Sequence, residues 1–395
     1  MNIVYYCGLF PKLSESFVLN EIYELDRRGH NVAVFAVNNP KENLQHDELV
    51  ELDIDVSYAD DLSLKGLKNC ASGNFVSPAG WKSSFMSSKP LISFYEAFLG
   101  CQFANFIDDL NFEPDHVHGH FVSSDKLGGL YGAKSKNCSF SVAVHAIDIF
   151  TSDNHDIKTK VLNESDRVVS ASEYNKEYIL ENYEFETPID VVYATSSFEK
   201  FSNIKRNVCN GRILTVGRLV EKKGIKYGLK AFKELLEEGY DHLEYHIVGE
   251  GELRDELEEN IKEIDLMDNV TLLGKVSDEK LMREYSEAEI FLLPCVIAEN
   301  GDRDAMPVVL KEAMSVGIPC ISTDISAIPE LIEDGNNGLL STPRDIDSLK
   351  KDIKTLLEDE KKKQELGKRG RERVENISIE QEIDKLITSF QKAKS

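Results

Sequence analysis

The feature that most constrains the fold is a regular alternation in the second half of the chain. Short β-rich runs recur there: RILTVG (Arg212–Gly217), LEYHIVG (Leu243–Gly249), VTLLG (Val270–Gly274), IFLLP (Ile290–Pro294), PCIST (Pro319–Thr323) and GLL (Gly338–Leu340). Between them lie segments with helical spacing, such as Ile225, Leu229, Phe232, Leu235 and Leu236, then Leu253, Leu257, Ile261 and Ile264. Strands that alternate with helices cannot pair as hairpins. They predict a parallel sheet covered on both faces, an α/β Rossmann-like domain. The first half alternates less regularly. NIVYYC (Asn2–Cys7), NVAVFAV (Asn31–Val37), DHVHGHF (Asp115–Phe121), FSVAVHA (Phe140–Ala146), DRVVSAS (Asp166–Ser172) and IDVVYA (Ile189–Ala194) read as strands.

Length agrees with two such halves, because 395 residues exceed one typical domain. The polar stretch Ser197–Asn210 reads as the linker. The domains are then expected at 1–200 and at 201–376. A net charge of −24 argues against a general nucleic-acid binder. Seven scattered cysteines without CxxC spacing suggest free thiols in a reducing compartment, and no metal site is expected. The N-terminus lacks a basic leader, and no run is long enough to span a membrane, so a cytoplasmic protein is expected. Residues 62–106 differ: they hold Trp81, four lysines and an aromatic run, a candidate peripheral contact with the inner membrane face. An irregular insertion packed on its own domain is the favoured alternative.

Ligands of parallel sheets bind beyond the carboxyl ends of the strands. Arg218 and Lys223 of GRLVEKKG follow the first strand of the second half, where two cations beside a helix start suit a diphosphate. Surface charge is the alternative there. GEGELR, from Gly249, is an incomplete dinucleotide fingerprint and reads more simply as a tight turn. The loop between Pro294 and Pro307 is long for a strand-to-helix connection, as functional loops are. Pro307 is expected at the first helical position, leaving the N–H groups of Met306, Val308 and Val309 toward a ligand. Asp304 precedes this helix and Glu312 lies inside it. A buried carboxylate at Glu312 needs a bonding partner, and a ribose diol would supply one. His118, His120 and His145 sit near strand ends, with Asp148 just after. They read as hydrogen-bonding residues, with His145 best placed to grip a sugar hydroxyl or a departing phosphate. GLFPKLSES, with Gly8 and Ser14, reads as a loop over the phosphates or the acceptor.

GRL-x-x-KKG, HIVGEGELR, VTLLGKVSDEKLMREYSEAEIFLLPC and DAMPVVLKEAMSVGIPCISTDISAIPELIEDGNNGLL, in that order, resemble the family-4 retaining glycosyltransferases. FPKLSESFVLNEI and HGHF…VHAIDIF extend the resemblance toward the exopolysaccharide-type branch. It implies a GT-B fold: two Rossmann-like domains facing a central cleft, with the C-terminal helix, 377–395, crossing back to the first. It implies a UDP- or GDP-sugar donor, a glycan or lipid-linked acceptor, no cofactor and no metal. Arg218 and Lys223 would bind the diphosphate, Glu312 the ribose and Asp304 the donor sugar, with Gly249 also on the donor side. Met306, Pro307 and Val308 would line the sugar, Val276 the base, and His145 the sugar from the first domain. Gly8, Ser14 and His120 would lie on the acceptor side. Asp304 stands where the family has Glu, and Ala305 where it has Gly. Those departures keep open a catalytically weak sugar-nucleotide-binding partner subunit, and an epimerase of the same fold. A dehydrogenase is disfavoured by Arg254, which breaks the glycine fingerprint.

Overall fold

The computed structural model describes residues 1–41, 48–61, 90–151, 154–194, 196 and 198–394. The chain forms two compact units, one from Met1–Tyr193 with the segment from Glu380 onward, the other from Ala194–Ile379. In the first, seven strands form one sheet: β1 (Asn2–Leu9), β2 (Asn31–Asn38), β3 (Asp55–Tyr58), β4 (His116–His120), β5 (Ser139–Val144), β6 (Arg167–Ser170) and β7 (Ile189–Val191). Their order is β3-β2-β1-β4-β5-β6-β7, all parallel. In the second, β8 (Arg212–Val216), β9 (Glu244–Val248), β10 (Val270–Gly274), β11 (Ile290–Leu292), β12 (Cys320–Thr323) and β13 (Leu339–Ser341) run parallel in the order β10-β9-β8-β11-β12-β13. The order reverses between β1 and β4, and between β8 and β11. Each reversal opens a crevice at the carboxyl ends of those strands.

The helical spacings become buried faces. Ile225, Leu229, Phe232 and Leu235 of the helix Ile225–Glu237 are buried against the second sheet, as are Leu257 and Ile261 of the helix Arg254–Glu263. Fully burying such a side chain contributes about 1.5–3 kcal/mol. Ser277 caps the helix Asp278–Glu287 by accepting the N–H of Lys280. The stretch read as a linker belongs instead to the second unit. Phe198–Ser202 is helical, and the Arg206 guanidinium donates to the carbonyls of Gly317 (2.7 Å) and Ala288.

The C-terminal helix Ile379–Ala393 packs on the first unit. Phe390 stacks on His116 at 4.4 Å, Asp384 pairs with Arg28 at 2.6 Å, and Glu382 accepts the N–H of Tyr193 at 2.8 Å. The aromatic run after residue 90 is also internal. In the helix Pro90–Asp109, Leu99 and Phe103 enter the core with Tyr6 and Phe35, while Phe94 and Tyr95 stay exposed. Residues 62–89, with Trp81, lie outside the described residues. Among the described residues, no helix is long and apolar enough to cross a membrane.

Candidate functional site

In the second unit the loops after β8, β9 and β11 come together through glycine. Gly224 has φ +64°, and a Cβ there would lie 1.9 Å from the carbonyl oxygen of Pro294. Gly249 has φ +140°, and its Cβ would lie 1.9 Å from the carbonyl oxygen of Gly217. Only glycine allows both the left-handed backbone and these approaches. GEGELR is therefore a close-packed turn. Lys222 also accepts the N–H of Val296 on its carbonyl at 2.9 Å, joining the two loops.

The two lysines before Gly224 are buried, whereas Arg218 is exposed. Lys223 Nζ lies 2.6 Å from Asp304 Oδ2. Lys222 Nζ lies 3.0 Å from Asp302 Oδ1 and 3.5 Å from Asp304 Oδ1. Burial alone would push the Asp304 carboxyl up, but Lys223 and Lys222 outweigh it and hold it well below the usual carboxylate range. Burial likewise works against the Lys223 charge, and Asp304 reverses that, raising its pKa. Burial pushes the Cys295 thiol up, and Cys295 Sγ donates to Asp304 Oδ2 at 3.6 Å. Asp304 is thus an ionised hub held by cations of its own unit.

The helix Val308–Val316 follows. Pro307 is its N-cap, with ψ 125°, not its first helical residue, because the chain turns into the helix only after it. The orphan N–H groups at the helix start are those of Val308 and Val309, while Leu310 already donates to the Pro307 carbonyl at 3.1 Å. Gly317, at φ 80°, ends the helix. Glu312 is 8% exposed and accepts the Tyr285 hydroxyl at 2.7 Å. That partner comes from a different helix, so spacing around Glu312 could not reveal it. Met306 is buried, and Val276 is half-buried in the turn after β10.

The first unit gathers its polar groups at its own reversal. Gly8 falls inside β1, which extends to Leu9, and not in a loop, while Ser14 is exposed in a 3-10 turn. His120 ends β4, is 1% exposed, and has both ring nitrogens engaged: Nε2 with Glu21 Oε2 at 3.1 Å and Nδ1 with His145 Nε2 at 3.0 Å. It therefore acts inside the fold and does not meet an acceptor directly. His145 is half-buried and forms a capping box with Asp148, donating its N–H to Asp148 Oδ1 at 2.8 Å. Burial depresses the His145 pKa and raises that of Asp148 to about 7. One ligand atom each of Glu21, His118 and His120 lie within 4.8 Å of one another, a set able to hold a metal ion. Sequence reasoning missed Glu21 because it arrives on the helix Ser16–Arg27, far from the histidines in the chain. It missed Lys222 for a different reason, having credited only the second lysine of KKG.

Residues 14–194 match the family model described as Glycosyltransferase Family 4, and residues 197–373 match Glycosyl transferases group 1. The chain belongs to the family-4 glycosyltransferases. Their junction falls where the chain passes from the first unit to the second. Relatives include the amylovoran biosynthesis glycosyltransferase AmsK of Erwinia amylovora, 44% identical over 35% of this chain and 34% of that protein. The putative colanic acid biosynthesis glycosyltransferase WcaL of Escherichia coli is 35% identical over 46% and 45%. The matched stretch thus spans about a third to a half of the length of these curated relatives. Among solved structures, a Rickettsia africae glycosyltransferase superposes with TM-score 0.74, at 16% identity, over 99% of this chain and 98% of that one. Anabaena HepE in complex with UDP and glucose gives 0.71, at 16% identity and 98% of both chains. This family-4 chain therefore has the GT-B fold.

Proposed function

We propose that the chain moves a sugar from a UDP- or GDP-sugar to a glycan or lipid-linked acceptor, with retention at the anomeric carbon. One observation carries this reading: Lys222 and Lys223 are buried at the carboxyl end of β8 and share Asp304 from the loop after β11, at the strand-order reversal. Buried cations held ready by a carboxylate suit a diphosphate that gains charge as it leaves. Lys223, Arg218 and the N–H groups of Val308 and Val309 would bind that diphosphate, Glu312 the ribose, and Val276 the base. Asp304 would hold Lys223 in place and touch the donor sugar.

As the bond from the anomeric carbon to the diphosphate oxygen breaks, that oxygen keeps the electron pair. The acceptor hydroxyl oxygen bonds the carbon on the same face and gives its proton to the departing phosphate. The chain's own cations offset the charge, so the step needs no metal. The names of AmsK and WcaL support an exopolysaccharide acceptor, and the HepE complex supports a uridine nucleotide.

The test is transfer from a panel of UDP- and GDP-sugars to glycan and lipid-linked acceptors, with product anomers read by NMR. Retained configuration is expected, with activity lost in Asp304→Asn and partly kept in Asp304→Glu. Nucleotide binding without turnover for any acceptor would support a partner subunit instead. Conversion of the donor alone would support an epimerase.

A further inference from the structure

Glu312 is a buried carboxylate, and Tyr285 reaches it from a neighbouring helix. The helix Asp278–Glu287 follows β10 and the helix Val308–Val316 follows β11, so both start near the carboxyl ends of the parallel strands. The Cα–Cβ bonds of a helix tilt toward its start. The Tyr285 and Glu312 side chains therefore lead back toward the end of the sheet where ligands bind. On the way Tyr285 Oη meets Glu312 Oε2 at 2.7 Å.

The tyrosine is a fixed donor. It is fully buried, with the Phe201 ring edge-on at 5.6 Å between centroids and the Phe291 ring of β11 at 6.0 Å. A ring packed in this way holds its hydroxyl in one place. Burial and the nearby Glu312 charge keep the Tyr285 pKa well above the ordinary tyrosine value, so the hydroxyl retains its proton and donates it. Glu312 is different in kind. A glutamate has three side-chain torsions, and a partner that fixes one oxygen removes much of that freedom. An ionised carboxylate offers about four acceptor positions, so the bond from Tyr285 orients the group without exhausting it. An apolar side chain would fill this part of the core at lower cost than a carboxylate, which points to a ligand as the reason for the charge.

We propose that Tyr285 is a positioning residue: it holds Glu312 Oε2 so that the carboxylate accepts from the ribose 2′-hydroxyl, and thereby makes the site prefer ribonucleotides to 2′-deoxyribonucleotides. That the ligand at Glu312 is a ribose rests on the function proposed above. The role of Tyr285 is a separate claim, because another group could orient the same carboxylate.

Calorimetric titration of UDP, GDP and their 2′-deoxy forms into the wild type, Tyr285→Phe, Glu312→Gln and the double variant tests it. In the wild type one ribonucleotide is expected to bind about 10–100-fold more tightly than its 2′-deoxy form, as for a hydrogen bond to a charged group. Tyr285→Phe keeps the ring and its packing. There the ratio is expected to fall to about threefold or less, through weaker ribonucleotide binding with the 2′-deoxy form little changed. A merely structural role would weaken both forms alike and leave the ratio as it was. The double variant is expected to match Glu312→Gln, since Tyr285 acts through Glu312. Phe201→Ala loosens the Tyr285 ring but spares its hydroxyl; it should lower the ratio too, and it decides the matter if Tyr285→Phe does not fold. An unchanged ratio overturns the proposal, as does a double variant that loses clearly more than Glu312→Gln. If the ratio survives in Tyr285→Phe but not in Glu312→Gln, the ribose reading stands and the positioning role alone falls. A wild type that does not distinguish the two forms or binds neither nucleotide, or a Glu312→Gln variant with an intact ratio, removes both.

Discussion

The two units place polar side chains at equivalent strand-order reversals, yet settle them in opposite electrostatic states. In the first unit burial prevails. Asp148 is pushed up to about 7, Glu96 to about 8, and His118 and His145 are depressed well below the ordinary histidine value. In the second unit partners prevail. Lys222 and Lys223 overcome the burial of Asp304 and keep it ionised, and Asp304 keeps Lys223 charged. The difference lies in whether an opposite charge stands within about 4 Å. A neutral network suits recognition of hydroxyl groups. A charged one suits a ligand whose own charge grows during reaction.

The contrast breaks most visibly at Lys223. Lys223→Ala leaves Asp304 with the more distant Lys222 as its ion-pair partner and removes a proposed diphosphate contact. Turnover is expected to fall by about 100–1000-fold in steady-state assays. Retention of full activity would separate the charged hub from function. The variant also tests acid sensitivity. The folded-state pKa of Asp304 lies below its unfolded value, so its stabilisation is present above about pH 4 and lost as pH falls further. Thermal melts from pH 6 to pH 3 should fall less steeply in Lys223→Ala than in the wild type.

Glu312→Gln sharpens the comparison within the second unit. The Tyr285 bond survives on the amide oxygen, while the charge proposed to grip a ribose is lost. Nucleotide affinity by calorimetry is expected to weaken about 10–100-fold, as for a hydrogen bond to a charged group. The smallest effect belongs to the first unit. The Glu96 carboxyl is raised from 4.5 to about 8, so the folded state holds its proton across that window and stability falls as pH rises through it. Glu96→Gln mimics the protonated form, since its amide oxygen can still accept the Gly128 N–H at 3.3 Å. Below about pH 4 the two melting temperatures should agree. At pH 9 the variant should melt about 2–8 °C higher.

Much of the fold was legible because period and spacing are local. The alternation around Ile225–Leu235 and the run IFLLP each report one element and its burial. The return of the last helix was expected from the family resemblance alone, and its contacts through Phe390 and Asp384 show why it stays. Lys223 and Asp304 could be singled out because each lies in a conspicuous loop of its own, but their pairing could not. The site was not legible where partners converge from separate elements. Glu21 meets His120 across 99 positions, and Tyr285 meets Glu312 across 27. The position of Pro307 was misjudged by one residue, because Pro is compatible with both the N-cap and the first turn, and only its ψ distinguishes them.

The central claim is that the buried lysines beside Asp304 recognise the diphosphate of a nucleotide. Calorimetric titration of UDP and UMP, and of GDP and GMP, into the wild type and Lys223→Ala tests it directly. The account predicts that in the wild type one diphosphate binds at least about tenfold more tightly than its monophosphate, about 1.4 kcal/mol. It also predicts that this advantage disappears in Lys223→Ala while monophosphate affinity changes little. An equal advantage in both proteins, or none in the wild type, would contradict it.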